Sequence, residues 1–290
     1  MHSKTPAAID PDTGEITLAA AEGGATGAGA PRPPGAPAKA ALRLDNRTYL
    51  DKERGRFKAN LYNYGDGLAE AGWAFVPYRS PFKGNARGES DHREQNEDRA
   101  IRRARSTMRK KVLTYGLDHL LTLTYRDNVT DFEQTNADLS RFMRLLKQHR
   151  PQLHYLAVPE RQKRGAWHWH LAVKGRQDVD LLRILWRQVV GEGNIDVQQP
   201  KGNLNRRLAL VKYLSKYLSK GFKDGLRELN GHRFRSAIGM TVEASPIPIP
   251  PEARNTVANY VLQQLNACAG SVGHVWEYDS GGSGWATSWK

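Results

Sequence analysis

Two short β-rich segments flank a polar turn near the middle of the chain, at residues 153–160 and 167–173. Apolar runs of this length, bounded by turn residues such as Gly165, predict two antiparallel strands joined as a hairpin. If the hairpin is centred on Arg164, Glu160 lies opposite His168, because each is four residues from the centre. This pairing restricts which side chains can share one face of a sheet.

Further strands and helices are predicted on both sides of the hairpin. Residues 119–125 (HLLTLTY) alternate and are rich in β-branched residues, and 193–197 is a second short strand. Apolar residues recur at helical spacing in three segments: 132–149, 179–190 and 206–222. The order is strand, helix, strand, strand, helix, strand, helix. It predicts an α+β domain at 112–245, with flanking helices on an antiparallel sheet of about five strands.

The rest of the chain divides into three weaker segments. Residues 1–41 include a run of Ala, Gly and Pro at 19–41, so we expect a disordered tail. Residues 42–111 form a poorly defined basic extension, in which aromatic residues indicate either short strands or loose packing. Residues 246–290 form a C-terminal extension with an extended SPIPIPPE segment, a short helix at 253–266 and a Gly/Ser-rich end.

The formal net charge of +14 indicates an anionic partner, either nucleic acid or a membrane surface. Solubility alone is the alternative explanation. The single cysteine, Cys268, excludes a disulfide within the chain and a zinc site built from cysteines. We see no signal peptide and no apolar stretch long enough to cross a bilayer, so we expect a cytoplasmic protein.

A basic run at residues 99–111 (RAIRRARSTMRKK) contains seven cationic side chains and no acidic one. Its spacing suits a helix. Because the whole chain is basic, we expect this helix to contact DNA phosphates. A solvated helical face with no partner is the alternative.

A metal site is predicted on the hairpin. Residues i and i+2 of a strand face the same side, so His168 and His170 project together, and Glu160 lies across from them. Two imidazoles and a carboxylate suit Mn²⁺, Zn²⁺ or Fe²⁺ and tolerate Mg²⁺. A His-x-His pair alone often arises by chance. His119 and His154 are competing ligand candidates that do not fall opposite His168.

The helix at 206–222 carries Tyr213 and Tyr217, which lie one turn apart on the same face. Lys216 and Lys220 each follow a tyrosine by three residues. A phenol is a weak nucleophile near neutral pH, and a nearby ammonium would favour the phenolate or offset phosphate charge. An ordinary amphipathic helix with tyrosines at the edge of a core is the alternative.

Together these motifs resemble the HUH endonuclease superfamily, in particular the two-tyrosine rolling-circle replication initiators of small phages and plasmids. The motifs occur in the family's order, at 121–125, at 160–170 and at 213–217. The resemblance implies a five-stranded antiparallel sheet and Mg²⁺ or Mn²⁺ bound by Glu160, His168 and His170. It also implies tyrosine nucleophiles on the last motif that form a 5′-phosphotyrosine bond with origin DNA. The bulky Trp169 between the histidines is a mild departure.

The leading hypothesis is therefore an enzyme that nicks and rejoins single-stranded or origin DNA to initiate replication. Because no G-x-x-x-x-G-K-[ST] loop is present, strand separation would need supercoiling, an origin hairpin or a host helicase, with a host polymerase extending the end. A two-tyrosine transposase is the second enzymatic alternative. A repressor on a degenerate nuclease fold is the non-catalytic alternative.

Overall fold

A computed structural model describes residues 8–9, 16–17, 55–77, 93–200, 205–223, 234–278 and 282–289. The chain divides into two compact units, one of Gly84–Val242 and one of Met1–Lys83 with Glu243–Lys290. The expected disordered tail, residues 1–41, lies outside the described residues except for two paired strands, β1 (Ala8–Ile9) and β2 (Ile16–Thr17).

The unit Gly84–Val242 alternates helices and strands. Its strands are β5 (His119–Tyr125), β6 (Tyr155–Arg161), β7 (Trp167–Val173), β8 (Gly193–Gln198) and β9 (Arg235–Ser236). Its helices are α1 (Arg93–Thr114), α2 (Phe132–His149), α3 (Val179–Val190) and α4 (Arg206–Lys223). Asp131 caps α2 and Asp178 caps α3, each accepting a backbone N–H of the first turn.

The five strands form one antiparallel sheet in the order β8-β5-β7-β6-β9. Helices α2 and α3 pack on one face, around a core that includes Leu123, Trp169 and Trp186. On the other face, α1 and α4 pack around Met108 and Leu214. This arrangement confirms the predicted α+β class and the five-stranded antiparallel sheet.

Strand β7 is buried along its whole length because helices cover both faces of the sheet. Trp169 and Leu171 share the face of α2 and α3, whereas Ala172 packs on the other face. The sequence shows no clean polar alternation here, and coverage on both faces is the physical reason. Strand parity places His168 and His170 on the face of Ala172, which is also the face of α4.

The second unit contains β3 (Gly55–Asn63), β4 (Ala69–Pro77), β10 (Ser245–Ile247), β11 (Val275–Tyr278) and β12 (Ser283–Thr287). They form an antiparallel sheet in the order β10-β3-β4-β12-β11. A 3₁₀ helix at Pro251–Thr256 leads into α5 (Val257–Ala269), which packs on this sheet. Pairing between β4 and β12 therefore joins the predicted basic extension to the predicted C-terminal extension.

The observed segments differ from the expected ones in two respects. Helix α1 belongs to the same compact unit as the predicted nuclease domain, although we had assigned it to the basic extension. The Gly/Ser-rich end forms strands β11 and β12, which the sequence pattern did not predict. None of the helices in the described ranges is long and apolar enough to span a bilayer.

Candidate active site

Strand register brings the predicted hairpin residues together. Glu160 of β6 pairs with His168 of β7, as the hairpin centred on Arg164 predicts. On the other edge of β7, Thr122 pairs with His170 and Thr124 pairs with His168. One face of the sheet's central strands therefore carries two imidazoles, a carboxylate and two hydroxyls below helix α4.

The ring of His170 lies at the centre of this cluster. Its Nε2 is 2.8 Å from Glu160 Oε2, and its Nδ1 is 3.3 Å from Thr122 Oγ1. The ring of Tyr217 stacks on it, with centroids 4.2 Å apart and planes at 25°. Tyr213 approaches the same imidazole edge-on at 5.6 Å. The hairpin motif and the helix motif therefore meet at one side chain.

The carboxylate of Glu160 is ionised in this arrangement. Burial alone raises the pKa of Glu160, but hydrogen bonds from His170 and Lys220 outweigh it and hold the pKa below its ordinary value. An ionised carboxylate can only accept hydrogen bonds. The proton between Glu160 and His170 is therefore carried on Nε2 of the imidazole.

His168 is held in the opposite chemical form. Its side chain is 7% exposed, and its Nε2 has no hydrogen-bond partner among the described residues. Burial, followed by the charges of His170 and Arg164, lowers the pKa of His168 to about 4, although Glu160 acts in the other direction. His168 is therefore neutral near pH 7, the form in which an imidazole binds a metal.

The donor chemistry of Glu160, His168 and His170 fits a divalent metal ion, and the free Nε2 of His168 is a buried polar atom that lacks a partner. As the side chains stand, no three His, Cys, Asp or Glu residues in the described part of the chain form a ready ligand set. The carboxylate is engaged by His170 and Lys220 instead. Metal binding would exchange the Glu160–His170 hydrogen bond for two metal bonds.

The two tyrosines of α4 contact each other. Tyr217 Oη donates to Tyr213 Oη at 3.0 Å, and the two rings meet edge to face. Tyr213 is 37% exposed, whereas Tyr217 is half-buried against His170. Burial, then the hydrogen bond to Tyr213 and the charge of Glu160, raise the pKa of Tyr217. Tyr217 is therefore a neutral phenol in this arrangement.

The two lysines of the helix motif occupy different environments. Lys220 Nζ donates to Glu160 Oε1 at 2.9 Å and to the carbonyl oxygen of Arg161 at 3.2 Å. Lys216 lies on the exposed side of α4. We expected each lysine beside its own tyrosine, but the ion pair directs Lys220 toward the carboxylate, since an opposite charge is a stronger partner than a phenol.

The competing ligand candidates lie elsewhere. His119 Nδ1 is 2.9 Å from Asp118 Oδ1, and its odd position in β5 places it on the opposite face from Thr122. His154 packs against the ring of Tyr115, with centroids 4.5 Å apart. Tyr125, the other tyrosine near the first motif, donates to Asp138 in the core formed with α2 and α3.

Thr122 is a site residue that the sequence did not single out. Its hydroxyl contacts Nδ1 of His170, the nitrogen that faces away from Glu160. A hydrogen bond at the second nitrogen orients an imidazole and selects its tautomer. Its position within 119–125, two residues from Thr124, was visible in the sequence, but its pairing with His170 was not.

The basic run forms a helix, as predicted, with its cations in two environments. Arg102 and Arg103 are exposed. Arg105 Nε donates to Ser219 Oγ of α4 at 2.9 Å, and Lys111 Nζ donates to Ser236 Oγ at 2.7 Å. The first pair can reach an anionic ligand, whereas Arg105 connects α1 to the tyrosine helix.

A protein-family model for replication-associated proteins of the ORF2 type matches residues 118–222. The matched segment runs from the start of β5 almost to the end of α4. It therefore includes the whole side-chain cluster and excludes the second sheet. This segment is similar to replication-associated proteins.

No curated protein matches this chain significantly. A solved structure titled as the hypothetical protein ORF119 from Sulfolobus islandicus rod-shaped virus 1 is 16% identical to it. That match covers 39% of this chain and 91% of the viral chain, with a TM-score of 0.29. Such a TM-score does not establish a common fold, and nothing below depends on it.

Proposed function

We propose that this chain initiates rolling-circle replication by nicking one strand of origin DNA with a tyrosine, in the manner of HUH endonucleases. One observation carries the proposal. The imidazole of His170 contacts the Glu160 carboxylate at 2.8 Å and stacks on the Tyr217 ring at 4.2 Å. Candidate metal ligands and candidate nucleophiles thus share one position, within the segment similar to replication-associated proteins.

Glu160, His168 and His170 would hold a divalent ion, Mg²⁺ or Mn²⁺. The bound ion would withdraw charge from the oxygens of the scissile phosphate. His168 supplies a neutral imidazole with a free Nε2. Glu160 supplies the negative charge that compensates the cation, and Thr122 holds the ring of His170 from behind.

Tyr213 or Tyr217 would attack the phosphate. A bond forms between the tyrosine oxygen and phosphorus, and the bond from phosphorus to the 3′ oxygen breaks. The departing oxygen takes a proton and becomes a free 3′-OH, while the phenol proton is released to solvent. The product is a 5′-phosphotyrosine ester, which stores the bond energy so that rejoining needs no ATP.

Two tyrosines within hydrogen-bond distance allow two successive transfers. One holds the 5′ end while the other attacks the regenerated origin, and the new 3′-OH then closes the displaced strand into a circle. Lys216 is exposed and Lys220 is 42% exposed at its side chain, so both ammonium groups are accessible to offset phosphate charge. A host helicase and polymerase would supply strand separation and synthesis.

A nicking assay tests the proposal. Supercoiled DNA of the genetic element that encodes the chain is incubated with Mn²⁺ or Mg²⁺ and with the wild type or two double variants. His168→Ala with His170→Ala should abolish nicking, and so should Tyr213→Phe with Tyr217→Phe, while DNA affinity measured in parallel is retained. Wild-type nicking by either double variant would overturn the proposal.

The same assay separates the alternatives. Closed single-stranded circles among the products support a replication initiator, whereas insertion of the cut strand into a second DNA molecule supports a transposase. DNA binding by the wild type without any nicking, with either metal, supports a non-catalytic repressor and would refute the enzymatic proposal.

A further inference from the structure

The second unit contains a sheet that the family match does not include. Helix α5 covers one face of this sheet, where Ala59, Ala71 and Trp73 pack against Val261 and Leu265. Because side chains alternate along a strand, the neighbouring residues of β3 and β4 project from the opposite face. No α-helix in the described part of this unit packs on that opposite face.

Register defines the centre of the opposite face. Gly72 and Ala74 of β4 lie there, and Ala74 pairs with Ser283 of β12. These three residues have short side chains or none, so they form a shallow floor in the middle of the sheet. The larger side chains of the same face stand on either side of this floor.

The margin on β3 is basic. Lys58 pairs with Ala74, and Arg56 pairs with Val76 one step further along, so both cations project from the same face. Both side chains are exposed. They present two positive charges along one side of the floor.

The other margin is aromatic. Trp276 of β11 pairs with Trp285 of β12, which in turn pairs with Gly72. Tyr278 pairs with Ser283, lies two residues from Trp276 and is 43% exposed. Three strand spacings separate β3 from β11, which is roughly 14 Å at about 4.8 Å per spacing.

This face has a closed end. Glu70 and Thr287 project from it one step beyond Gly72 and Trp285, and both are fully buried. The open surface is therefore the basic and aromatic end, which we call the platform: Arg56, Lys58, Trp276, Tyr278 and Trp285.

We propose that the platform binds single-stranded DNA, with bases stacked on Trp276, Trp285 and Tyr278 and phosphates against Arg56 and Lys58. Surfaces that bind single strands combine a cationic track with aromatic rings, because every base has a face that can stack. Duplex DNA would offer the cations its phosphates but would keep its bases out of reach of the rings. This site lies outside the nuclease cluster and does not depend on strand cleavage.

Two other occupants are conceivable from the structure. Strand β1 lies against β11, so an N-terminal part of the chain is one competitor for the aromatic margin. A second copy of the chain is the other, since exposed aromatic residues also occur at protein interfaces. Both make predictions that differ from those of DNA binding.

The test measures binding to a single-stranded oligo(dT) by fluorescence anisotropy, with the full chain carrying Tyr213→Phe and Tyr217→Phe to prevent cleavage. In this background Tyr278→Ala should weaken binding about fivefold or more, whereas Tyr278→Phe, which keeps the ring, should bind as the parent. Lys58→Ala should reduce the log–log salt slope by about 0.7. Arg254→Ala removes an exposed cation outside the platform and should leave the slope nearly unchanged.

Photocrosslinking locates the contact directly. Oligonucleotides containing 5-iodouracil should crosslink to peptides of β11 or β12, and mass spectrometry should place the adducts on Trp276, Tyr278 or Trp285. A duplex of the same length should give far fewer adducts. An RNA of the same sequence shows whether the sugar matters to the platform.

Three results would overturn the proposal. The first is unchanged oligo(dT) affinity and slope in Tyr278→Ala and Lys58→Ala, with no adducts on β11 or β12. The second is a lower melting temperature of Tyr278→Ala without any loss of affinity, which would show that the chain's own segment covers the ring. The third is a change in molecular mass in sedimentation without a change in affinity, which would identify a second copy. Failure of the wild type to nick DNA would refute the proposed function and leave this result intact.

Discussion

Acid should destabilise the metal-free protein through His168. Its pKa is about 4 in the folded chain, against an ordinary value of 6.5. Between these values the unfolded chain binds a proton at this residue and the folded chain does not, so stability falls as pH falls. One pH unit is worth about 1.4 kcal/mol per proton, so the free energy of unfolding should lose about 3 kcal/mol from pH 6.5 to 4.

Urea unfolding in EDTA at several pH values between 6.5 and 4.5 measures this loss. His168→Gln removes the titrating group, so its stability should depend less steeply on pH than that of the wild type. The other histidines titrate in both proteins and cancel in the difference. Glu160 and Asp118, whose pKa values are lowered, lose their contributions only below their ordinary range, outside this window. Parallel pH profiles for the two proteins would refute the assignment of His168 as a buried neutral imidazole.

Two further predictions concern groups around the site. Thr122→Val should weaken Mn²⁺ binding by about 10- to 100-fold in isothermal titration calorimetry, because His170 loses its orienting hydrogen bond. Thr124→Val is the control, since its hydroxyl bonds to a backbone carbonyl; equal losses in both variants would contradict this role. Replacing exposed Arg102 and Arg103 with Ala should flatten the salt slope of single-strand binding by about 0.7 each, and an unchanged slope would remove α1 from the interface.

Local sequence patterns predicted most of the Gly84–Val242 unit. Strands β5 and β7 and helices α2 and α3 have the bounds that alternation and helical spacing indicate. These elements are bounded by turn residues or by capping aspartates, which mark their ends within the sequence. The α+β class follows from their order.

The second sheet was not predicted, because its strands pair across the chain. Strand β12 pairs with β4, so Trp285 lies beside Gly72 although more than two hundred residues separate them. Glycine and serine at Ser283 and Gly284 also hide the strand pattern. Periodicity reports which face of an element is buried, but it does not report which distant strand lies beside it.

The site could be predicted only as far as local pairing extends. The hairpin set Glu160 opposite His168 from its turn alone, and the structure has this register. The Thr122 contact depends on β5 pairing with the far edge of β7, and the Lys220 ion pair depends on how α4 crosses the sheet. Both are tertiary features, so neither could be read from spacing.

The covalent intermediate tests the central claim most directly. The wild type is incubated with metal and origin single strands, the DNA is trimmed by nuclease, and peptides are analysed by mass spectrometry. We predict a nucleotide joined through its 5′ phosphate to Tyr213, to Tyr217 or to both. No adduct should form when both residues are changed to Phe. An adduct found only on another residue, such as Tyr125, or strand cleavage that proceeds without any adduct, would contradict the account.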